Sequence, residues 1–127
     1  MASRKVILNA FFDQFLGFVK ELQQMYPEDP DFNVFQTTIT MLRGTNPLLV
    51  AKFIKDNVVT PYGDKIEKCD ESFFLTHSYD EHAEDVDLDI IEKLKGYVVT
   101  MSDSSKNAVW KYIQIISKLA MKSLETD

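Results

Sequence analysis

The chain of 127 residues contains a single cysteine, four glycines and four prolines, and each shortage removes a class of protein. Cys69 cannot close an internal disulfide, so no disulfide framework holds the fold, which agrees with a reducing compartment. Four glycines are too few for glycine-rich phosphate loops, and neither Asn-Gly turns nor alternating strand patterns occur. No apolar run approaches the roughly 20 residues that span a bilayer, and the first helical segment carries Asp13, Lys20 and Glu21. The basic start, Met1 to Lys5, leads into an amphipathic segment without a small-residue cleavage site, unlike a secretory signal. The sequence therefore reads as an intracellular protein of the cytoplasm or nucleus. No internal repeat is evident, which argues against stacked identical units.

What is present is core-forming material. Hydrophobic residues make up 45% and charged residues 27%, with nine Phe, five Tyr and one Trp, enough for one compact domain over 1–127. Ser104 to Leu124 is the segment around which the rest is organised. At about 100° per residue, Ala108, Val109, Tyr112, Ile113, Ile115, Ile116, Leu119, Ala120 and Leu124 cover about half of a helix. Lys111, Lys118 and Lys122 line the opposite side, and Trp110 and Met121 fall on one border beside Gln114. A face this broad has to touch several elements at once.

The remaining segments supply them. Residues 5–25 place Phe11, Phe12, Phe15, Phe18, Val19 and Leu22 on one arc, and Pro27 and Pro30 end that helix. Asp29 with Pro30 is a cap-then-proline start for a helix over 30–43, whose inner stripe is Phe32, Phe35, Ile39 and Leu42. Val34 and Met41 lie off that stripe. Asn46 with Pro47 starts a third helix, over 47–59, that buries Leu49, Val50, Phe53, Ile54 and Val58. Thr60 with Pro61 starts a fourth, over 61–76, in which Tyr62, Ile66, Cys69 and Phe73 share a face and a break at Asp70 is an alternative. Helical spacing returns over 88–101 with Ile90, Ile91, Leu94, Tyr97, Val98 and Met101, and the last helix covers 104–124. The prediction is an all-α fold, a single compact bundle of about six helices packed around the C-terminal one.

The net charge of −6 is local in origin: ten acidic residues and two lysines fall between Asp64 and Asp89, so the rest of the chain is near neutral. Within that span, His77 to Asp87 reads as a solvated acidic loop. A calcium loop starting at Glu81 would have Glu92 at its twelfth position but Val86 where glycine is needed. A zinc site would have His77, His82 and Cys69 at no recognised spacing. Cys69 has no evident oxyanion-stabilising partner and reads as a small buried residue between Ile66 and Phe73. No catalytic, metal or cofactor residue is assigned, and no small-molecule substrate is implied.

The closing stretch LKGYVVTMSDSSKNAVWKYIQIISKLA, the aromatic first helix from Phe11 to Pro27 and the Asn46-Pro47 helix start together resemble, in layout across most of the chain, small helical proteins of large DNA viruses of algae and protists. In the last helix the resemblance rests on Trp110 with Tyr112, Ile113 and Leu119. It implies an intracellular viral product in the host cell or the virion, and supplies no catalytic or binding residue. The functional expectation is a non-enzymatic protein-interaction module or adaptor. A structural or assembly protein acting within an oligomer is the alternative, and a nucleic-acid binder using the lysine face is a weaker one, because an acidic domain repels a phosphate backbone. The predicted contact surface has Trp110 as exposed anchor, with Gln114 and Met121 beside it and Lys111, Lys118 and Lys122 as its charged rim.

Overall fold

A computed structural model describes residues 3–70, 72–75 and 88–125 and is helical throughout its ordered elements. The all-α prediction holds. In chain order the elements are α1 (Arg4–Met25), α2 (Asp31–Thr45), α3 (Pro47–Ile54), a π-helical turn (Lys55–Val59), α4 (Thr60–Glu67), α5 (Ser72–Leu75), α6 (Leu88–Thr100) and α7 (Asp103–Glu125).

The starts follow the local chemistry. Ser3 caps α1 by accepting the Val6 amide at 3.3 Å. The Asp29 carboxylate accepts the Asp31 amide at 3.0 Å at the start of α2, although Pro30, predicted as the first helical residue, takes the N-cap position and Asp29 lies one residue before it. Asn46 ends α2 by donating its amide to the Leu42 carbonyl, and Pro47 opens α3 directly afterwards. At Thr60-Pro61, however, the predicted break is absent. The chain runs from α3 through the π turn into α4, and the Thr60 amide reaches back five residues to the Lys55 carbonyl. The widened turn takes in one extra residue just ahead of Pro61, which has no amide to donate.

The core lies between α1 and α7, which run antiparallel. Arg4 donates to the Ser123 carbonyl at 3.0 Å near one end, and the Tyr112 hydroxyl donates to Glu21 at 3.1 Å near the other. α1 buries Phe11, Phe12, Phe15, Phe18, Val19 and Leu22. Each buried phenylalanine contributes about 1.5–3 kcal/mol relative to exposure. α2 adds Phe32, Phe35 and Ile39, and α3 adds Val50, Ala51, Phe53 and Ile54. α7 packs on α1, α3, the π turn and α4, while α6 packs on α5 and α2. Beneath α6 a partly open cavity of about 70 Å³ is bordered by Phe15, Phe18, Phe32, Phe35, Leu94 and Ile116, among others.

Several sequence assignments are corrected. The fourth helix stops at Glu67 instead of continuing to residue 76, and the alternative break near Asp70 is what occurs. Cys69 is exposed, because it sits beyond the helix end in left-handed geometry, with φ at 53°. Its amide bonds the Ile66 carbonyl and that of Asp70 bonds the Lys65 carbonyl at 2.8 Å, a closing pattern that usually employs glycine at this position. Ile115, placed on the buried arc of the last helix, is 42% exposed. Val34 and Met41 are exposed, at 64% and 58%. The predicted acidic loop, with its two histidines, lies outside the described residues.

The strained Cys69 gives a direct test. Cys69→Gly removes the Cβ penalty of left-handed geometry, offset in part by glycine's backbone entropy, and raises stability by about 0.5–1 kcal/mol. Thermal unfolding followed by circular dichroism should show a melting temperature a few degrees higher; an unchanged or lower value contradicts the strained-terminus account.

Candidate functional site

Among the described residues, two concave regions of the surface carry polar chemistry. The first is a corner where the α1–α2 turn meets α6, lined by Met25, Tyr26, Pro27, Glu28, Asp29, Pro30, Lys93 and Tyr97. Tyr26 and Tyr97 stack with ring centroids 3.9 Å apart. Between the two segments, Asp29 accepts the Tyr97 hydroxyl at 2.6 Å and the Lys93 ammonium at 3.1 Å, and Lys93 also bridges Asp31. The Tyr97 hydroxyl, then the Asp31 amide and then Lys93 hold the Asp29 carboxyl below its ordinary range. Lys93 is pushed up by its bonds to Asp31 and Asp29, and Tyr97 is pushed up chiefly by its bond to Asp29. Asp29, Asp31, Lys93 and Tyr97 thus answer one another, and the corner serves as a clasp that ties α6 to the bundle.

The second region is a groove of about 850 Å³ between α4 and α7. Val59, Gly63, Asp64, Ile66 and Glu67 form one wall, and Gln114, Ile115, Ser117, Lys118, Leu119, Met121, Lys122 and Glu125 the other. The walls are joined where the Gln114 amide donates to the Ile66 carbonyl at 3.0 Å and contacts Cys69 Sγ at 3.3 Å. Val59, Ile115, Leu119 and Met121 make an apolar floor that is partly open to solvent. Asp64 and Glu67 on the α4 rim are exposed, as are Lys118 and Lys122 on the α7 rim. Asp64, Glu67 and Lys118 form no ion pair among the described residues. Glu125 interrupts the basic rim at its end.

Four of the six residues predicted for the contact surface, Gln114, Lys118, Met121 and Lys122, come together in this groove. Lys111 is exposed on the same helix but lies outside the groove lining. Trp110 is the correction. It is 5% exposed, because the short helix α5 covers the border of α7 on which it lies and sets the Phe73 ring 6.0 Å from its own. It belongs to the core and is not a surface anchor. The accessible apolar contact falls instead to the exposed Ile115 and the half-buried Met121. Sequence reasoning missed the entire α4 wall, although Val59, Gly63 and Ile66 recur at steps of four and three. It also missed the buried Lys95, whose ammonium lies 5.0 Å from the Tyr62 ring centroid and 4.9 Å from that of Phe73. The signal for Lys95 was its position one turn before Val98 on the α6 core stripe.

Among the described residues no three metal-ligating side chains converge, and no helix is long and apolar enough to cross a membrane. Comparison with known proteins returns no matching family, no matching curated protein and no matching solved structure.

Two outcomes follow from this geometry. Trp110→Ala should cost about 3–5 kcal/mol, as for other buried aromatic truncations, and be visible as a large loss of melting temperature. An unchanged melting temperature would place the ring back at the surface. For the clasp, a depressed Asp29 pKa means stability is present above the unfolded carboxylate value, near pH 4, and is lost as pH falls through the lower folded value. Raised Lys93 and Tyr97 values mean that their contribution is present below about pH 10 and is lost as pH rises through the folded values. Melting temperatures from pH 7 down to pH 3 should therefore fall more steeply for the native chain than for Asp29→Asn; parallel curves would show that the clasp contributes nothing.

Proposed function

We propose that the protein is a non-catalytic protein-interaction module and that the α4–α7 groove is its contact surface. The observation that supports this reading is the combination of an apolar floor with two rims of opposite charge. The floor supplies non-directional affinity, and the rims supply orientation and encounter rate. A groove between two helices suits a protein surface or an amphipathic helix. The charge pattern also disfavours a nucleic-acid backbone, because any phosphate near Lys118 and Lys122 also approaches Asp64 and Glu67. The clasp at Asp29 is bracing in this reading, since its groups are engaged with one another.

The exposed Val34 and Met41 on α2 offer the internal control. A photo-crosslinking side chain placed at Ile115 should give a discrete protein adduct, and Met121→Arg should abolish it while leaving the helical circular dichroism unchanged. The same crosslinker placed at Val34 should give no adduct. Adducts from Val34 alone would move the contact surface to α2 and overturn the assignment to the groove.

A further inference from the structure

The two rims of the groove are complementary to each other, which bears on what fills it. An isologous interface brings one surface against its own copy, so the surface must satisfy itself under a two-fold rotation. Consider an axis running along the groove. It exchanges the rims, setting the Asp64 and Glu67 rim of one copy over the Lys118 and Lys122 rim of the other, twice per dimer. An axis running across the groove sets acid over acid and lysine over lysine. The first arrangement is favourable and the second is repelled, so the charges alone select one orientation, in which the two α7 helices run in the same direction. Apolar contact accompanies the charge pairing. The axis sets the α7 wall of one copy, with Ile115, Leu119 and Met121, over the opposite wall of the other, with Val59, and Ile115 is already 42% exposed in the single chain.

We propose that the occupant of the α4–α7 groove is a second copy of this chain, related by a two-fold axis along the groove; this rests on the groove being the contact surface. Foreign partners would have to bring both an acidic and a basic edge at matching separation, whereas a second copy carries both by construction. Lys65 of α4 and Lys68, just beyond its end, alternate with the two acids in sequence but do not line the groove.

The test is charge reversal in two halves, read by sedimentation equilibrium of the full chain at low salt. Lys118→Glu with Lys122→Glu makes both rims acidic, and Asp64→Lys with Glu67→Lys makes both basic. Each double variant alone should dimerise at least about tenfold more weakly than the native chain, with its helical circular dichroism retained, because rim charges become mutually repulsive. Mixed in equal amounts, the two should recover a one-to-one heterodimer, since both rim contacts are then complementary. That recovery cannot arise from misfolding of either variant. Met121→Arg should weaken the native dimer with little dependence on salt. A native chain that stays monomeric at millimolar concentration, or variants that fail to recover on mixing, overturns the second copy as occupant. If the chain is monomeric while Ile115 still gives its Met121-dependent adduct, the groove stands and its occupant is a different protein; if that adduct is also missing, the reading of the groove itself falls.

Discussion

The structure depends first on the antiparallel contact of α1 and α7. Both are long enough to cross the whole bundle, at 22 and 23 residues, and each is amphipathic with a wide apolar face. Burial along such a face is non-directional, so something else has to fix how far one helix slides against the other. Polar contacts at the two ends do this: Arg4 with the Ser123 carbonyl, and Tyr112 with Glu21. Phe18 stacked on Tyr112, with centroids 5.1 Å apart, lies next to the second of these. With that register set, the edge-to-face contacts of Phe11 with Phe12 and Phe15 become the wall against which α2 is laid. Arg43 then reaches from α2 to Asp13 at 3.2 Å and covers the Phe12 ring. That ion pair is largely exposed and adds orientation more than stability.

α6 is held by a different balance. It packs on α2 and α5, and the cavity under it shows that the fit to the rest of the core is incomplete. Voids of this kind forfeit dispersion contacts along their lining. Two polar devices answer the shortfall. The Asp29, Lys93 and Tyr97 clasp fastens the helix to the α1–α2 turn, and the Lys95 ammonium is set against the faces of Tyr62 and Phe73, where the ring quadrupole attracts a cation. Hydrogen bonds and ring contacts depend on direction in a way that hydrophobic burial does not, so α6 is placed by geometry more than by volume.

How much of this was legible follows from which residues carry it. Phe11, Phe12, Phe15 and Phe18 declare their helix through spacing alone, because a buried face has to repeat with the helical period. The starts at Asp29 and Asn46-Pro47 were legible because a polar residue followed by proline is a local signal, although the Asn46 side chain makes no capping bond. Cys69 was misread because its spacing from Ile66 continues a helical face, and only the backbone turn after Glu67 removes it from that face. Trp110 was misread for the opposite reason: helical spacing puts it on a border, and whether a border is covered depends on α5, four residues whose docking no local pattern announces. The groove was half legible. Its α7 wall is a property of one helix, whereas its α4 wall exists only once two segments are brought side by side.

That side-by-side placement traces back to the π turn. Val50, Ile54, Val58, Tyr62 and Ile66 recur at uniform steps of four, and all face the core or its margin. On an ideal α-helix each such step overshoots a full turn by about 40°, so the stripe would drift by about 160° from Val50 to Ile66 and carry Ile66 toward the opposite side. One residue inserted as a π turn takes back about 100° of that drift. The insertion falls at Lys55–Val59, immediately before Pro61, where the missing amide already weakens the regular pattern. Continuing inward-facing contact lets α4 follow α7 as far as the Gln114 bond to Ile66, and it leaves Asp64 and Glu67 on the outward edge, across from Lys118 and Lys122. A single irregular turn, dictated by an i+4 stripe and one proline, is thus what sets an acidic rim opposite a basic one.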